Sequence, residues 1–171
     1  GAIMFFNGRS AVLQTLSTVN FINWSDNNIL MAAKAFANQP QYWKDFAYLF
    51  NSDMLKQRRA GNRRSVSESE LAEAAAQGGP QAVFKKLLDL GFLPTQIADS
   101  FAISAGGATF YRNRVNSLIK QGMSRADAEA QAFTDFQKIT EETQQSSRPD
   151  MISQQQASPL GRLILAFQNT P

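Results

Sequence analysis

The densest group of charged side chains lies in the segment MLKQRRAGNRRS, residues 54–65. It carries five cations and no carboxylate, with one glycine in its middle. The cations are Lys56, Arg58, Arg59, Arg63 and Arg64. Such a cluster can bind phosphate groups without sequence preference by releasing counterions, but a solvated loop has the same composition. A nucleic-acid contact and an exposed basic turn are both open for this segment.

A second candidate is the stretch PTQIADSFAISAGGATFYRNRV, residues 94–115. Its glycine pair, Gly106-Gly107, separates two helical patterns and predicts a helix–turn–helix. Arg112 and Arg114 then lie near the start of the second helix, where arginine contacts guanine edges in a major groove. The alternative is ordinary packing of two helices in a bundle, with the aromatic pair before these arginines in the core.

Catalysis has little support in the residue types present. Histidine and cysteine are absent from all 171 residues, which removes imidazole bases, thiolate nucleophiles and the usual zinc ligands. The carboxylates of Glu68, Glu70 and Glu73, and of the adjacent Glu141-Glu142, have the pattern of solvated helix surfaces. We therefore expect no enzymatic activity, no cofactor and no metal site.

The elements that must position these residues are predicted to be helices. Alanine, glutamine and serine are frequent, and no sustained apolar–polar alternation indicates a strand. The pattern Ser67-x-x-Glu70 is a capping box, and Gly78-Gly79-Pro80 ends one helix and starts another. Gly91 and Gly122 are predicted helix ends. Ser124 is the predicted N-cap of a long helix in which Ala128, Ala132, Phe136 and Ile139 form one apolar stripe. The sequence predicts an all-α multi-helix bundle or extended helical array of about seven to nine helices with no sheet.

The first elements are expected to carry much of the aromatic mass. A helix is predicted near residues 11–22, and a second restarts at Ser25-Asp26. The inner face of this second helix is predicted to consist of Ile29, Leu30, Ala33, Phe36 and Ala37.

Five segments follow from these patterns. Residues 1–60 form aromatic-rich helices, 61–66 a basic linker and 67–143 the central helices. Residues 144–158 form a polar glutamine- and serine-rich strip, and 159–171 a short helix. Because this last apolar helix has no evident ending, we expect it to continue into a longer parent chain. Partner contacts are predicted at Arg148, Leu160, Leu163, Ile164 and Phe167.

The words ATFYRNR, residues 108–114, and EETQQSSRPDMISQQQASPLGRLILAFQNTP, residues 141–171, are the most distinctive in the chain. With them, the second half resembles the helical polyvalent-protein-associated module of the very large virion proteins of tailed phages, including crAss-like phages. The resemblance implies a structural cargo or ejection protein, packaged in the particle and delivered into the host with the genome. Its partners would be the portal, the tail or further copies of itself. Its location would be the capsid or tail interior, then the host cytoplasm.

Two other functions remain open. The first is a nucleic-acid-binding module that uses the basic cluster, with Arg112 and Arg114, on DNA phosphates. The net charge of +3, with only 18% charged residues, does not itself indicate nucleic acid. The second is a membrane-active ejection segment with Val12–Ile22 or Leu160–Phe167 as interfacial helices. Neither stretch has a strongly cationic opposite face, so membrane contact ranks last.

Overall fold

A computed structural model describes Phe21, residues 27–59 and residues 63–146 of the chain. Within these residues the protein is helical and has no β-strand, which confirms the all-α prediction. The helices are α1 (Ile29–Ala37), α2 (Gln41–Phe50), α3 (Asp53–Arg58), α4 (Glu68–Asp89), α5 (Pro94–Lys120) and α6 (Arg125–Ser146). Apart from Phe21, the helices predicted near residues 11–22 and at 159–171 lie outside the described residues.

Local sequence sets most of the helix ends. The Ser67 hydroxyl accepts a hydrogen bond from the Glu70 amide at 3.4 Å at the start of α4. The Ser124 hydroxyl does the same for the Asp127 amide at 3.2 Å, before α6. Gly91, after α4, has φ +94°, in the left-handed region that glycine adopts without a Cβ penalty. These predicted caps and the helix end at Gly91 are confirmed.

The inner face of α1 differs from the prediction. Leu30 is 63% exposed, whereas Ala32, Ala35 and Phe36 are buried. Both sets have helical spacing, so periodicity alone does not choose between them. Phe36 belongs to both sets, and its ring lies 4.8 Å from the Tyr42 ring of α2, edge to face.

Helix α5 is one continuous helix of 27 residues, so the predicted helix–turn–helix is wrong. Its glycine pair lies in the helix interior and does not form a turn. A Cβ atom on Gly107 would come within 2.3 Å of Cε1 of Phe136 and 3.3 Å of Cδ1 of Leu49. At Gly107, α5 therefore has no room for a side chain, because the Phe136 ring of α6 occupies the space.

The core is built around α5, which contacts α1, α2, α3 and α6, while α2 also contacts α4. Aromatic rings fill much of it, and the core is continuous from Phe21 to Ile139. The Phe46 ring of α2, for example, lies 5.0 Å from the Phe101 ring of α5. The stripe predicted for α6 is also buried: Ala128, Ala132, Phe136 and Ile139. Helices distant in sequence thus share one hydrophobic core.

Candidate functional site

Arg59, one of the predicted phosphate-binding cations, is only 1% exposed. Its Nη1 donates to the Phe50 carbonyl at 2.7 Å and its Nη2 to the Arg64 carbonyl at 3.0 Å. The guanidinium carbon lies 4.0 Å from the centre of the Phe50 ring. Burial lowers the pKa of Arg59 to about 10. This side chain fastens the basic segment to the end of α2, and the structure does not present it at a surface.

The other four cations of the cluster keep at least part of their surface in solvent. Arg63 and Arg64 are exposed, and Lys56 and Arg58 are half-buried. Nη1 of Arg64 also donates to the Leu90 carbonyl, at the C-terminal end of α4. A hydrogen bond to a carbonyl leaves the positive charge in place, so this surface remains cationic.

Arg112 and Arg114, the remaining predicted nucleic-acid contacts, bind carboxylates of neighbouring helices. Arg112 holds Asp45 of α2 through two bonds, Nε–Oδ2 at 2.8 Å and Nη2–Oδ1 at 2.7 Å. Asp45 is 4% exposed, and its hydrogen bond is the main cause that raises the pKa of Arg112. Nε of Arg114 donates to Asp135 Oδ2 of α6 at 2.9 Å. Both arginines thus connect α5 to its neighbours.

The predicted partner contacts Arg148, Leu160, Leu163, Ile164 and Phe167 lie outside the described residues and stay predictions. The two stretches considered as interfacial membrane helices also lie outside them, except for Phe21. Within the described ranges, no helix combines the length and apolarity needed to cross a bilayer.

A groove of about 410 Å³ opens where α2, α3, α4 and α6 approach one another. Its lining includes the apolar and aromatic side chains of Tyr48, Met54 and Phe133 and the carboxylates of Asp53 and Glu68. Three uncharged polar residues complete the lining: Asn51, Ser52 and Gln137. Among the described residues, no lysine or arginine lines this groove, so we call it the acidic aromatic groove.

The aromatic wall of the groove is preformed. The Tyr48 ring is 5.7 Å from the Phe133 ring in an edge-to-face arrangement and 5.5 Å from the Tyr111 ring. Tyr48 nevertheless remains 44% exposed. Burial, followed by the nearby Glu129 carboxylate, raises the pKa of Tyr48, so its hydroxyl is neutral at physiological pH. The Tyr48 ring is thus held in place by its two aromatic neighbours while part of it stays exposed to solvent.

Two hydrogen bonds bring the carboxylates to the same groove. Nδ2 of Asn51 donates to the Val66 carbonyl, and the Val66 amide donates to Oδ1 of Asn51, both at 2.7 Å. This pairing joins the end of α2 to the residues just before α4. Asp53 follows Asn51 closely and Glu68 follows Val66, so each becomes the first residue of a helix beside the groove.

Sequence reasoning identified some members of this site without assembling it. Glu68 was part of a carboxylate triplet, and Tyr48 lies in the segment predicted to form aromatic-rich helices, residues 1–60. Their proximity depends on the pairing of Asn51 with Val66, which are 15 residues apart. Nothing periodic in the sequence signals that pairing, although an asparagine directly after a helix is a frequent hydrogen-bonding residue.

The chemistry of the groove is set by its aromatic rings and its two carboxylates. Neither Asp53 nor Glu68 forms an ion pair with a lysine or arginine among the residues that the structure describes. Within the same residues, no group of three or more potential ligands is arranged to hold a metal ion. The aromatic rings and free carboxylates suit recognition of a cationic group.

Comparison of the chain with protein-family models, with curated proteins and with solved structures found no match.

Proposed function

We propose that this chain is a structural module of a tailed-phage virion, carried inside the particle and delivered into the host with the genome. The resemblance of residues 108–114 and 141–171 to phage cargo proteins supports the phage assignment. The hydrogen bonds and the ion pair formed by buried polar groups support a structural role. Several of these groups bind one another inside the bundle.

The observation that supports the structural role is the set of internal contacts between these polar groups. Asp45 is held by Arg112, and Nδ2 of Asn113 donates to Oδ1 of the buried Asn27 at 2.7 Å. Asn27 in turn donates to the Phe21 carbonyl at 2.7 Å. A buried polar network that is satisfied internally fixes one arrangement of helices and is not available to a substrate.

Delivery through a tail channel requires a chain that unfolds and refolds readily. The chain has no cysteine, so no disulfide has to be reduced first. Neighbouring helices such as α5 and α6 contact each other directly, and helical folds rich in local contacts form quickly. These features agree with a cargo role in which the module passes through the channel unfolded.

The proposal is tested by proteomics of purified particles and of freshly infected cells. We expect peptides from residues 27–146 in the particle and, after ejection, in the host cell fraction. Intact-mass measurement of the parent chain then shows whether a longer protein carries the module. Detection of the chain only in host lysate, with none in purified particles, would overturn the assignment.

A nucleic-acid-binding function is a second candidate, favoured by the partly solvent-accessible cations Lys56, Arg58, Arg63 and Arg64. It predicts an affinity for DNA that falls steeply with salt, by a log–log slope of about −0.9 for each phosphate contact. Replacing Lys56 and Arg63 by alanine should reduce that slope by about 2. Lys138→Ala, at an exposed position of α6, is the matched control. Binding that is insensitive to salt and to the double substitution would remove this candidate.

A further inference from the structure

We infer that the acidic aromatic groove binds an arginine side chain presented by a partner protein. This inference depends on the proposed structural function in one respect, namely that the groove binds a protein. The binding can be tested on the isolated chain, without the phage particle.

Charge selects a cation as the occupant. The chain as a whole carries a net charge of +3, so general electrostatics do not attract cations to it. The groove nevertheless has two carboxylates in its lining and, in the part of the chain that the structure describes, no basic residue there. Asp53 and Glu68 are unpaired with cations within the described part of the chain. An incoming positive charge would therefore meet two available acceptors.

The aromatic wall selects arginine among cations. A guanidinium is planar, stacks on aromatic faces and donates two parallel hydrogen bonds to a carboxylate, whereas an ammonium does neither as well. Tyr48 and Phe133 provide the faces, and Asp53 and Glu68 the acceptors, in one groove. The protein already uses the same two contacts internally. Arg112 binds Asp45 with two bonds while its guanidinium carbon lies 5.6 Å from the centre of the Tyr111 ring.

The size of the groove fits one side chain with its flanking backbone. Its volume of about 410 Å³ is near the lower end of the roughly 300–1,000 Å³ that holds small ligands. The three uncharged lining residues, Asn51, Ser52 and Gln137, offer amide and hydroxyl groups to a peptide backbone. A single anchoring residue implies weak affinity for an isolated peptide, in the millimolar range.

The test is a titration of the full chain, labelled with ¹⁵N, by a blocked pentapeptide that has arginine at its centre between serine and glycine residues. The control peptide has citrulline at the centre, which keeps the shape of arginine and removes its charge. A lysine peptide tests the choice of guanidinium. We expect saturable amide shifts confined to the groove for the arginine peptide, weaker ones for lysine and none for citrulline.

Variants test the acceptors. Asp53→Asn and Glu68→Gln keep size and remove charge, and each should weaken binding of the arginine peptide by about fivefold. Glu73→Gln is the matched control, because Glu73 is an exposed carboxylate of the same helix outside the groove. Phe133→Leu tests the aromatic wall and should weaken arginine more than lysine. Thermal melts of each variant confirm that it is folded.

Several outcomes would overturn the inference. They are equal binding of the citrulline peptide, tighter binding of the lysine peptide, shifts centred away from the groove, or no saturable shift at millimolar peptide. An equal effect of Glu73→Gln and Glu68→Gln would also do so. None of these results bears on whether the chain is present in phage particles, so the two proposals fail separately.

Discussion

Two Gly-Gly pairs have opposite effects on the helices that contain them. Gly78-Gly79 breaks α4, where Gly79 has φ +74° and ψ −164°. Gly106-Gly107 lies within α5, which continues through it without interruption. Both were expected to end a helix. Glycine thus serves two purposes in this protein. Gly79 adopts a backbone conformation that other residues disfavour, and Gly107 leaves space because it has no side chain.

The difference lies in what surrounds each pair. Proline follows Gly79, and a residue before proline is sterically disfavoured from the helical region. A Cβ on Gly79 would have no atom within 4 Å, so its backbone conformation is what requires glycine. At Gly107 the backbone is helical and the Phe136 ring fills the position of the missing Cβ. A glycine pair therefore cannot be interpreted without its packing partner.

The largest effect is expected from Gly107→Ala. Its Cβ would lie 2.3 Å from Cε1 and 2.8 Å from Cδ1 of the buried Phe136 ring. Either the ring or the helix must move, and overpacking of this kind costs about 3 kcal/mol of unfolding free energy. The measurement is urea unfolding followed by circular dichroism.

A double variant sharpens this prediction. Phe136→Leu removes the ring, so Gly107→Ala should cost much less in that background, with a coupling of about 1–2 kcal/mol. Asn116→Ala, at an exposed position of α5, is the control and should change stability by less than about 0.5 kcal/mol. Additive effects of the two core substitutions would show that Phe136 does not determine the need for glycine.

Alkaline pH should destabilise the region around the uninterrupted pair. The Tyr42 hydroxyl donates to the Ala105 carbonyl at 2.8 Å, directly before Gly106. Burial raises the pKa of Tyr42 and of Tyr111 above the ordinary value of 10.0. The folded state thus keeps these protons above pH 10 while the unfolded state loses them. Their contribution to stability is complete below about pH 10 and declines above it, by up to about 1.4 kcal/mol per pH unit for each buried tyrosine.

The lowered pKa of Arg59 acts in the opposite sense and offsets part of this loss. The measurement is a pH titration of tyrosinate absorbance together with helicity, in which both should change in one step. Tyr42→Phe should cost about 1 kcal/mol near neutral pH through the lost hydrogen bond. The difference from wild type should shrink as pH rises above 10. Ionisation of Tyr42 with helicity intact would contradict its buried position.

Gly79→Ala tests the interrupted pair and should have a smaller effect than Gly107→Ala. The conformation of Gly79 belongs to a region that only glycine adopts readily, so alanine costs about 1 kcal/mol or more. Open space around the Cβ allows relief by a local change of the kink. Urea unfolding measures the cost. A loss as large as that for Gly107→Ala would remove the distinction drawn above.

Pro80→Ala should have the smallest effect on the free energy of unfolding, less than about 0.5 kcal/mol. Alanine leaves the unfolded chain more conformational freedom, which destabilises the fold, but it also has a higher helix propensity, which stabilises it. If local chemistry sets the kink, the variant should gain helicity, measured by circular dichroism and by amide shifts across residues 76–84. An unchanged kink would show that tertiary contacts hold α4 in its bent form.

The sequence predicted the features that short-range chemistry controls. Ser67 and Ser124 begin helices because their hydroxyls accept amide hydrogen bonds within one turn. Gly91 and Gly122 end helices because both have positive φ. The buried stripe of α6 followed from helical spacing. Each of these features is decided within a few residues, so the printed sequence contains what is needed to infer it.

Features that join distant residues were decided only in the tertiary structure. Gly107 meets Phe136, Arg112 meets Asp45, and Asn51 pairs with Val66 to assemble the acidic aromatic groove. The basic cluster was visible as composition, but its Arg59 lies in the core, where the Phe50 ring and two carbonyls hold the guanidinium. The role of a charged residue or of a glycine cannot be inferred from the sequence alone, because it depends on which residues pack against it in the tertiary structure. For this protein, local chemistry set where the helices begin and end, and packing between helices set which side chains can meet a partner.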